Sequence, residues 1–253
     1  MGFAKGELTQ DQFLGGKLSI WQPNKGYRAG ADPVFLAASV VASARDTVLE
    51  LGCGVGVASL CLGHRVPGLK MTGVELQRDY AELARRNALE NNIAIEVVTG
   101  DLCALPEAIK MQNFDHVLAN PPYFKGNTRT KAANNGREIA LAGETPLAVW
   151  VDVAIRRLKP GGSLVFIQKI ARLPEMLASF DQRVGGISVK PLAARQERNA
   201  DIVIVTARKG ARAPFQLLPA LVLHEGLQHE RDGDSYSETA RAILRDAQPL
   251  GLY

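Results

Sequence analysis

The feature that most constrains the fold is an apolar run that ends in a glycine-rich turn. Residues 47–51 are apolar apart from Thr47 and Glu50, the turn Gly52-Cys53-Gly54-Val55-Gly56 follows, and small or apolar residues continue to Leu62. This pattern predicts a buried strand of a parallel sheet followed by a helix. Glycines permit positive φ and let a ligand approach the backbone at the helix amino terminus. The segment therefore predicts an α/β fold that binds a ligand at Gly52, Gly54 and Gly56.

Two further strand ends carry acidic residues. The run 70–74 ends in Glu75-Leu76, and Glu75 lies 23 residues after Gly52. Nucleoside-binding folds have a carboxylate at about this spacing, where it accepts hydrogen bonds from the ribose hydroxyls. The run 93–98 leads to Asp101-Leu102, which can accept from an adenine amine and cover the ring. Either acid alone is also compatible with a solvated turn, but acids at successive strand ends favour one nucleoside site.

The glycine spacing discriminates between cofactors. A nicotinamide fingerprint has the spacing G-x-G-x-x-G, whereas here the third glycine comes one residue early, at Gly56. Glu50 also stands in the strand two residues before Gly52. A carboxylate beside the turn would repel a pyrophosphate and attract a cation. The pattern therefore favours S-adenosylmethionine, which carries an ammonium and a sulfonium and no phosphate.

A fourth strand, 114–119, ends in Asn120-Pro121-Pro122-Tyr123. Two prolines cannot continue a ladder, so the chain must turn there. An Asn oxygen and a free backbone carbonyl can accept both hydrogens of an amine, and an aromatic ring can stack on the plane that bears it. Asn-Pro-Pro is also an ordinary strand-ending turn. Next to the three preceding strand ends, it predicts catalytic roles for Asn120, Pro121 and Tyr123, with Asn120 also beside the cofactor.

The segment after this motif is polar and basic. The predicted substrate-binding residues are Tyr123, Phe124, Lys125, Arg129 and Lys131. Basic groups beside a site can bind the phosphates of a nucleic acid, although a solvated loop is the alternative interpretation. The net charge of +4 and the pI of about 9.0 permit such a partner without demonstrating one.

The remaining pattern predicts the architecture. We expect a doubly wound, seven-stranded, mostly parallel, Rossmann-like sheet in which the runs 187–190 and 201–207 form an antiparallel hairpin, giving an antiparallel edge strand. Residues 1–45 are predicted to be an extension packed on a domain spanning 46–253. In that extension, 18–23 should form a hairpin with Tyr27-Arg28, and Asp32 should cap a helix. Two roles of the extension stay open. It is expected either to cover one edge of the sheet or to close over a bound ligand.

Composition limits the other possibilities. The 253 residues are 46% hydrophobic, yet no apolar stretch reaches the roughly 18 residues of a membrane span, and the start lacks a signal-peptide layout. Three cysteines without paired spacing suit a reducing cytoplasm and argue against zinc. We therefore predict a cytoplasmic protein with neither a metal nor a membrane partner. The oligomeric state does not follow from the sequence.

The motifs resemble a known group of enzymes. The run from Glu50 to Gly56, with Glu75, Asp101 and Asn120-Pro121-Pro122-Tyr123, is similar to class I S-adenosylmethionine-dependent methyltransferases that act on planar nitrogens. More narrowly, the run from Gly26 to Asp32, Leu221-Val222-Leu223-His224, Tyr236 and the run from Arg241 to Leu244 resemble the tRNA1(Val) adenine-37 N6-methyltransferases. The resemblance implies that Gly52 and Gly54 hold the methionine end of the cofactor, Glu75 its ribose, and Asp101 and Leu102 its adenine. It implies tRNA as the partner.

Other functions stay open at this point. The acceptor could be a protein glutamine or the N2 amine of a ribosomal guanine. A small-molecule O-methyltransferase would need a base or a metal near the methyl group, and the sequence offers no matching His or Asp cluster. A noncatalytic RNA-binding module would not require Asn120 and Tyr123 together.

Overall fold

The computed structural model describes residues 3–123, 145–226 and 235–251. The strands are β1 (Leu8–Phe13), β2 (Leu18–Pro23), β3 (Thr47–Leu51), β4 (Lys70–Glu75), β5 (Ile95–Thr99), β6 (Phe114–Ala119), β7 (Leu158–Lys169), β8 (Val184–Ala193), β9 (Ile202–Lys209), β10 (Gln216–Leu217) and β11 (Leu221–Val222). The helices are α1 (Asp32–Ala38), α2 (Val57–Arg65), α3 (Arg78–Glu90), α4 (Glu107–Lys110), α5 (Leu147–Arg157), α6 (Leu173–Ala178) and α7 (Glu238–Asp246). Phe124, Lys125, Arg129 and Lys131 lie outside the described residues.

Seven long strands form the predicted sheet in the order β8-β9-β7-β6-β3-β4-β5. Strands β3 to β7 pair in parallel, and the short strands β10 and β11 add to the outer side of β8. Alternate residues of the central strands enter two different hydrophobic cores, as Leu118 and Val117 do. The doubly wound, mostly parallel α/β fold is therefore confirmed, and two short strands extend the predicted seven.

The antiparallel hairpin is present, but its antiparallel strand is not at the edge. Strand β9 pairs antiparallel with both β7 and β8 and so lies inside the sheet. Burial explains the difference, because the run Val203 to Ala207 is buried at every position whereas β8 is partly exposed. A strand covered on both faces belongs in the interior of a sheet.

The N-terminal hairpin uses a different partner from the predicted one. Strand β2 pairs with β1 through six residue pairs, from Leu8 with Pro23 to Phe13 with Leu18. Strand β1 was not predicted, because its central residues are polar and mostly exposed. Tyr27 and Arg28 instead lead into α1, where Asp32 is the first helical residue and Ala31 the N-cap. The predicted capping by Asp32 is wrong, since its carboxylate accepts a hydrogen bond from Tyr123.

The topology defines where a ligand can bind. The chain passes from β3 to β4 and β5 on one side, then returns to β6 on the other side of β3. Such a change of direction leaves a crevice at the carboxyl ends of the two neighbouring strands. The glycine turn follows β3 and Asn120 follows β6, so both flank this crevice. Within the described ranges, the helices are too short or too polar to cross a bilayer.

Candidate active site

The glycine turn and the second strand end are joined directly. Gly52, Gly54 and Gly56 have positive φ values of 65°, 54° and 89°. The Gly54 amide donates to Glu75 Oε2 at 2.9 Å, and the Gln77 amide donates to Glu75 Oε1 at 2.8 Å. Burial raises the pKa of Glu75, and these backbone hydrogen bonds oppose the shift. A carboxylate therefore stands against the turn and keeps acceptor capacity for further donors.

Glu50 forms the second acidic group beside the turn. Its side chain is buried and accepts from the Ser59 amide at 3.0 Å and from the Ser59 hydroxyl at 2.5 Å. Burial raises the pKa of Glu50 to about 8, although the Ser59 hydrogen bonds act in the opposite direction. The hydrogen-bond partners of Glu50 and Glu75 are uncharged. A cation bound at the turn would therefore favour the ionised form of these carboxyl groups, whereas a pyrophosphate would disfavour it.

Two of the glycines differ in the space around them. A Cβ on Gly52 would lie 2.5 Å from Trp150 Cη2, so this glycine lets the turn pack against α5. A Cβ on Gly54 would meet only Tyr27 Cε1, at 3.9 Å. Of the two, Gly54 is the one with room for a ligand beside its backbone.

The third strand end lies next to the second one. The Gly100 amide donates to the Glu75 carbonyl at 2.9 Å, which brings the ends of β4 and β5 together. Asp101 Oδ1 accepts from the Cys103 amide at 2.8 Å within its own turn. Leu102 is buried, and Leu76 is half-buried. Oδ1 of Asp101 therefore already accepts one hydrogen bond within its own turn.

The loop after β6 is held by side chains from other elements. Asn120 Nδ2 donates to the Tyr27 hydroxyl at 3.2 Å. The Pro121 carbonyl accepts from Gln168 Nε2 at 3.2 Å, and the Pro122 carbonyl accepts from Arg172 Nη1 at 2.8 Å. The Pro121 carbonyl lies beyond the end of β6 and so outside the strand ladder, as predicted. It accepts from a side chain instead, because a buried carbonyl needs a partner. Its second lone pair remains.

Tyr123 is contacted at its hydroxyl and over one face of its ring. Its hydroxyl donates to Asp32 Oδ2, and Lys169 Nζ lies 5.5 Å from the ring centroid. Burial, followed by the Asp32 charge, raises the pKa of Tyr123 well above its usual range, so the phenol stays protonated. The ring is therefore a neutral, oriented aromatic surface at the end of β6.

Four residues that hold the loop were not predicted as site residues. Tyr27 and Asp32 stand more than 90 positions before Asn120 and Tyr123, and Gln168 and Arg172 come from β7 and the turn after it. The only available signals were the run from Gly26 to Asp32 and a buried glutamine at the end of an apolar strand. In the described ranges, His, Cys, Asp and Glu form no group of three or more that could hold a metal.

The fold and the glycine turn are those of an S-adenosylmethionine-dependent methyltransferase. Comparisons with known proteins identify the same class. Residues 33–183 match the methyltransferase small domain family. A tRNA1(Val) (adenine(37)-N6)-methyltransferase of Porphyromonas gingivalis is 31% identical over 178 residues, which cover 67% of this chain and 69% of that protein. One from Shewanella baltica is 32% identical over 162 residues, 61% and 67% of the two chains. The chain belongs to the methyltransferase small domain family. It also belongs to the tRNA1(Val) (adenine(37)-N6)-methyltransferase family of these two relatives.

Solved structures agree on the fold. A predicted O-methyltransferase from Agrobacterium tumefaciens superposes with a TM-score of 0.69 at 23% identity, covering 87% of this chain and 98% of that one. The Thermus thermophilus 16S rRNA N2 G1207 methyltransferase, in complex with S-adenosylmethionine and guanosine, gives 0.55 at 20% identity, covering 80% and 50%. At these identities the likeness concerns the fold alone.

Proposed function

We propose that this protein transfers a methyl group to the N6 amine of an adenine in tRNA. The observation that carries the proposal is the Asn120–Tyr123 loop, which is held rigidly beside the glycine turn at the crevice between β3 and β6. The names of the Porphyromonas and Shewanella relatives support the same substrate and atom.

The strand ends supply the proposed cofactor contacts. Glu50 and the backbone of the turn from Gly52 to Gly56 hold the cationic methionine end, and Glu75, with Leu76 beside it, accepts from the ribose. Asp101 and Leu102 bind the adenine. When bound, S-adenosylmethionine supplies a methyl group attached to a positively charged sulfur. The buried carboxylates beside the turn fit that charge.

The acceptor nitrogen is made reactive by geometry. The lone pair of an aromatic amine is delocalised into its ring, so the amine is a poor nucleophile. Asn120 Oδ1 and the second lone pair of the Pro121 carbonyl accept the two amine hydrogens, which turns the lone pair out of the ring plane. Placement of the reacting atoms can contribute about 7–11 kcal/mol to lowering the barrier.

The remaining residues bind the acceptor. The Tyr123 ring stacks on the target base, which must first leave its own stack, and an unpaired loop base does so at the lowest cost. We assign Phe124 to the same base and Lys125, Arg129 and Lys131 to nearby phosphates. A cytoplasmic location is part of the proposal, and it rests on the tRNA substrate.

A transfer assay identifies the acceptor. Purified protein is incubated with methyl-labelled S-adenosylmethionine and, separately, with total tRNA, ribosomes or release factors, and modified nucleosides are identified by mass spectrometry. We expect N6-methyladenine in the tRNA sample alone. Label in ribosomal guanine or in a protein glutamine would overturn the proposed substrate.

A variant tests the role of Asn120. Asn120→Ala removes the amine acceptor, so we expect methyl transfer to fall by at least about a hundredfold while S-adenosylmethionine still binds. Asn113→Ala, at the exposed opposite end of β6, should keep wild-type activity. Full transfer by the Asn120 variant would refute the proposed role of Asn120 as an acceptor of the amine hydrogen, whatever the substrate.

A further inference from the structure

We propose that Tyr27 and Asp32, from the segment before and at the start of α1, are positioning residues that orient Asn120 and Tyr123 for the reaction. These two side chains and their partners are called the N-terminal clasp. The inference rests on the proposed function for what the clasp orients. Both residues lie outside the range 33–183 matched by the family model.

The Tyr27 half of the clasp orients the side-chain amide of Asn120. Asn120 Nδ2 donates to the Tyr27 hydroxyl at 3.2 Å. An amide held by its nitrogen presents its oxygen on the other side. The Tyr27 ring also lies beside Gly54, with Cε1 3.9 Å from the position of an added Cβ. Tyr27 therefore stands between the glycine turn and Asn120, where the cofactor and the acceptor must meet.

The Asp32 half of the clasp orients the ring of Tyr123. The Tyr123 hydroxyl donates to Asp32 Oδ2, and a hydrogen bond to a carboxylate is about twice as strong as one between neutral groups. Because the ring can rotate about its own bonds, this contact selects one orientation for the stacking surface. Asp32 does not cap its helix, so its side chain is available for this contact.

The segment that carries the clasp is itself anchored. Gln22 exchanges two hydrogen bonds with the backbone of Ala29, at 2.8 and 3.2 Å. The Tyr80 hydroxyl donates to the Tyr27 carbonyl at 3.2 Å, and the Arg28 guanidinium binds Thr9, Asp11 and the Pro23 carbonyl of the hairpin. All of these contacts are made by groups of the protein itself, so they support the clasp and, through it, the orientation of the loop.

Conservative variants separate positioning from stability. Tyr27→Phe removes only a hydroxyl and should lower kcat about three- to tenfold with the KM for S-adenosylmethionine unchanged. Asp32→Ala should lower kcat about ten- to a hundredfold, and Asp32→Asn, which keeps an acceptor oxygen, should restore part of it. Arg157→Ala is the control for stability, because Arg157 lies at the carboxyl end of α5, outside the clasp and its segment, and donates to the Ile109 and Gln112 carbonyls at 3.2 and 3.3 Å. It should lower the unfolding midpoint and leave kcat nearly unchanged.

A double variant tests whether Asp32 acts through Tyr123. Tyr123→Phe keeps the ring and loses the same hydrogen bond, so combining it with Asp32→Ala should cost no more activity than the larger single loss. Losses that multiply would overturn the proposal. So would a kcat of Tyr27→Phe equal to that of the wild type, or a kcat that falls equally in Arg157→Ala at a similar loss of unfolding midpoint.

A spectroscopic measurement makes the clasp testable without a substrate. The side-chain amide signal of Asn120, identified by its loss in Asn120→Ala, should shift in the NMR spectrum of Tyr27→Phe and stay in place in Arg157→Ala. An unchanged signal in Tyr27→Phe would refute the contact. If the wild type fails to methylate tRNA, the proposed substrate is wrong, and the NMR result still decides whether the clasp exists.

Discussion

Glu50 is a carboxyl group enclosed in the protein beside the glycine turn. It is 3% exposed, and its partner Ser59 donates through both its amide and its hydroxyl. Burial raises its pKa to about 8. A group with this pKa binds a proton more tightly in the folded chain than in the unfolded one. Its contribution to stability is therefore complete at acidic pH and is lost as pH rises from about 4.5 towards 8.

The first prediction follows from this sign. The free energy of unfolding of the ligand-free protein should fall by a few kcal/mol between about pH 5 and pH 8. In Glu50→Gln, which has no charge to bury, the decrease should be clearly smaller. Urea denaturation at a series of pH values measures it.

A second buried acid and one control variant determine how the result is interpreted. Glu75 also has a raised pKa from burial, so part of the decrease should persist in Glu50→Gln. Glu96→Gln, on the exposed face of β5, should reproduce the wild-type slope. Identical slopes for the wild type and Glu50→Gln would show that the Glu50 carboxyl is not the group responsible.

At the scale of elements, the strand ends were predictable because their signals are local. An apolar run followed by glycines or prolines determines where a strand stops and which residue comes next. The positions of Glu75 and Asn120 at the carboxyl ends of β4 and β6 follow from this. Parallel pairing then brings the ends to one edge of the sheet, which the alternation of strands and helices already predicts.

Contacts between distant segments were not predictable in the same way. Strand β1 is mostly polar, so nothing in it marks a partner for β2. Asp32 before Pro33 has the pattern of a helix cap, yet the carboxylate binds Tyr123, 91 positions away. Strand β9 could be assigned to a hairpin but not to the interior of the sheet, because strand order depends on which edges other segments cover.

The turn between β3 and α2 allows a second prediction. Gly52→Ala would add a Cβ 2.5 Å from Trp150 Cη2 at a φ of 65°. The left-handed conformation and the overpacking against α5 should together lower the free energy of unfolding by about 2–4 kcal/mol. Gly6→Ala, whose Cβ would meet nothing within 4 Å, is the matched control. Equal unfolding midpoints for the two variants would contradict the close packing of the turn on α5.

At the scale of the whole molecule, one buried side chain joins three parts of the fold. Asn87 in α3 is fully buried, accepts from the Trp21 amide at 2.9 Å and donates to the Trp21 carbonyl at 3.1 Å. It also donates to the Val55 carbonyl in the glycine turn at 3.0 Å. The hairpin, the helix and the turn thus share one hydrogen-bonded amide. The clasp depends on this arrangement because its segment follows β2 directly.

The last prediction tests that link. Asn87→Ala removes the side-chain partner of three backbone groups, two on half-buried Trp21 and one on buried Val55, so the free energy of unfolding should fall by about 2–5 kcal/mol. Asn91→Ala is the matched control. It also loses two hydrogen bonds to β2, through Ser19 at 2.9 and 2.8 Å, but it is less buried and does not reach the turn. It should therefore cost less.

The two tryptophans report separately on the two parts. Trp21 lies in the hairpin and Trp150 packs against Gly52, so fluorescence of Trp21→Phe and Trp150→Phe proteins follows one region each. With Asn87 present, the two fluorescence signals should change at the same urea concentration, since cooperative unfolding requires coupling between the hairpin and the sheet. In Asn87→Ala, the Trp21 signal should change first, because the hairpin loses its buried attachment while the sheet keeps its core. Coincident transitions in the variant would mean that apolar packing alone couples the hairpin to the sheet.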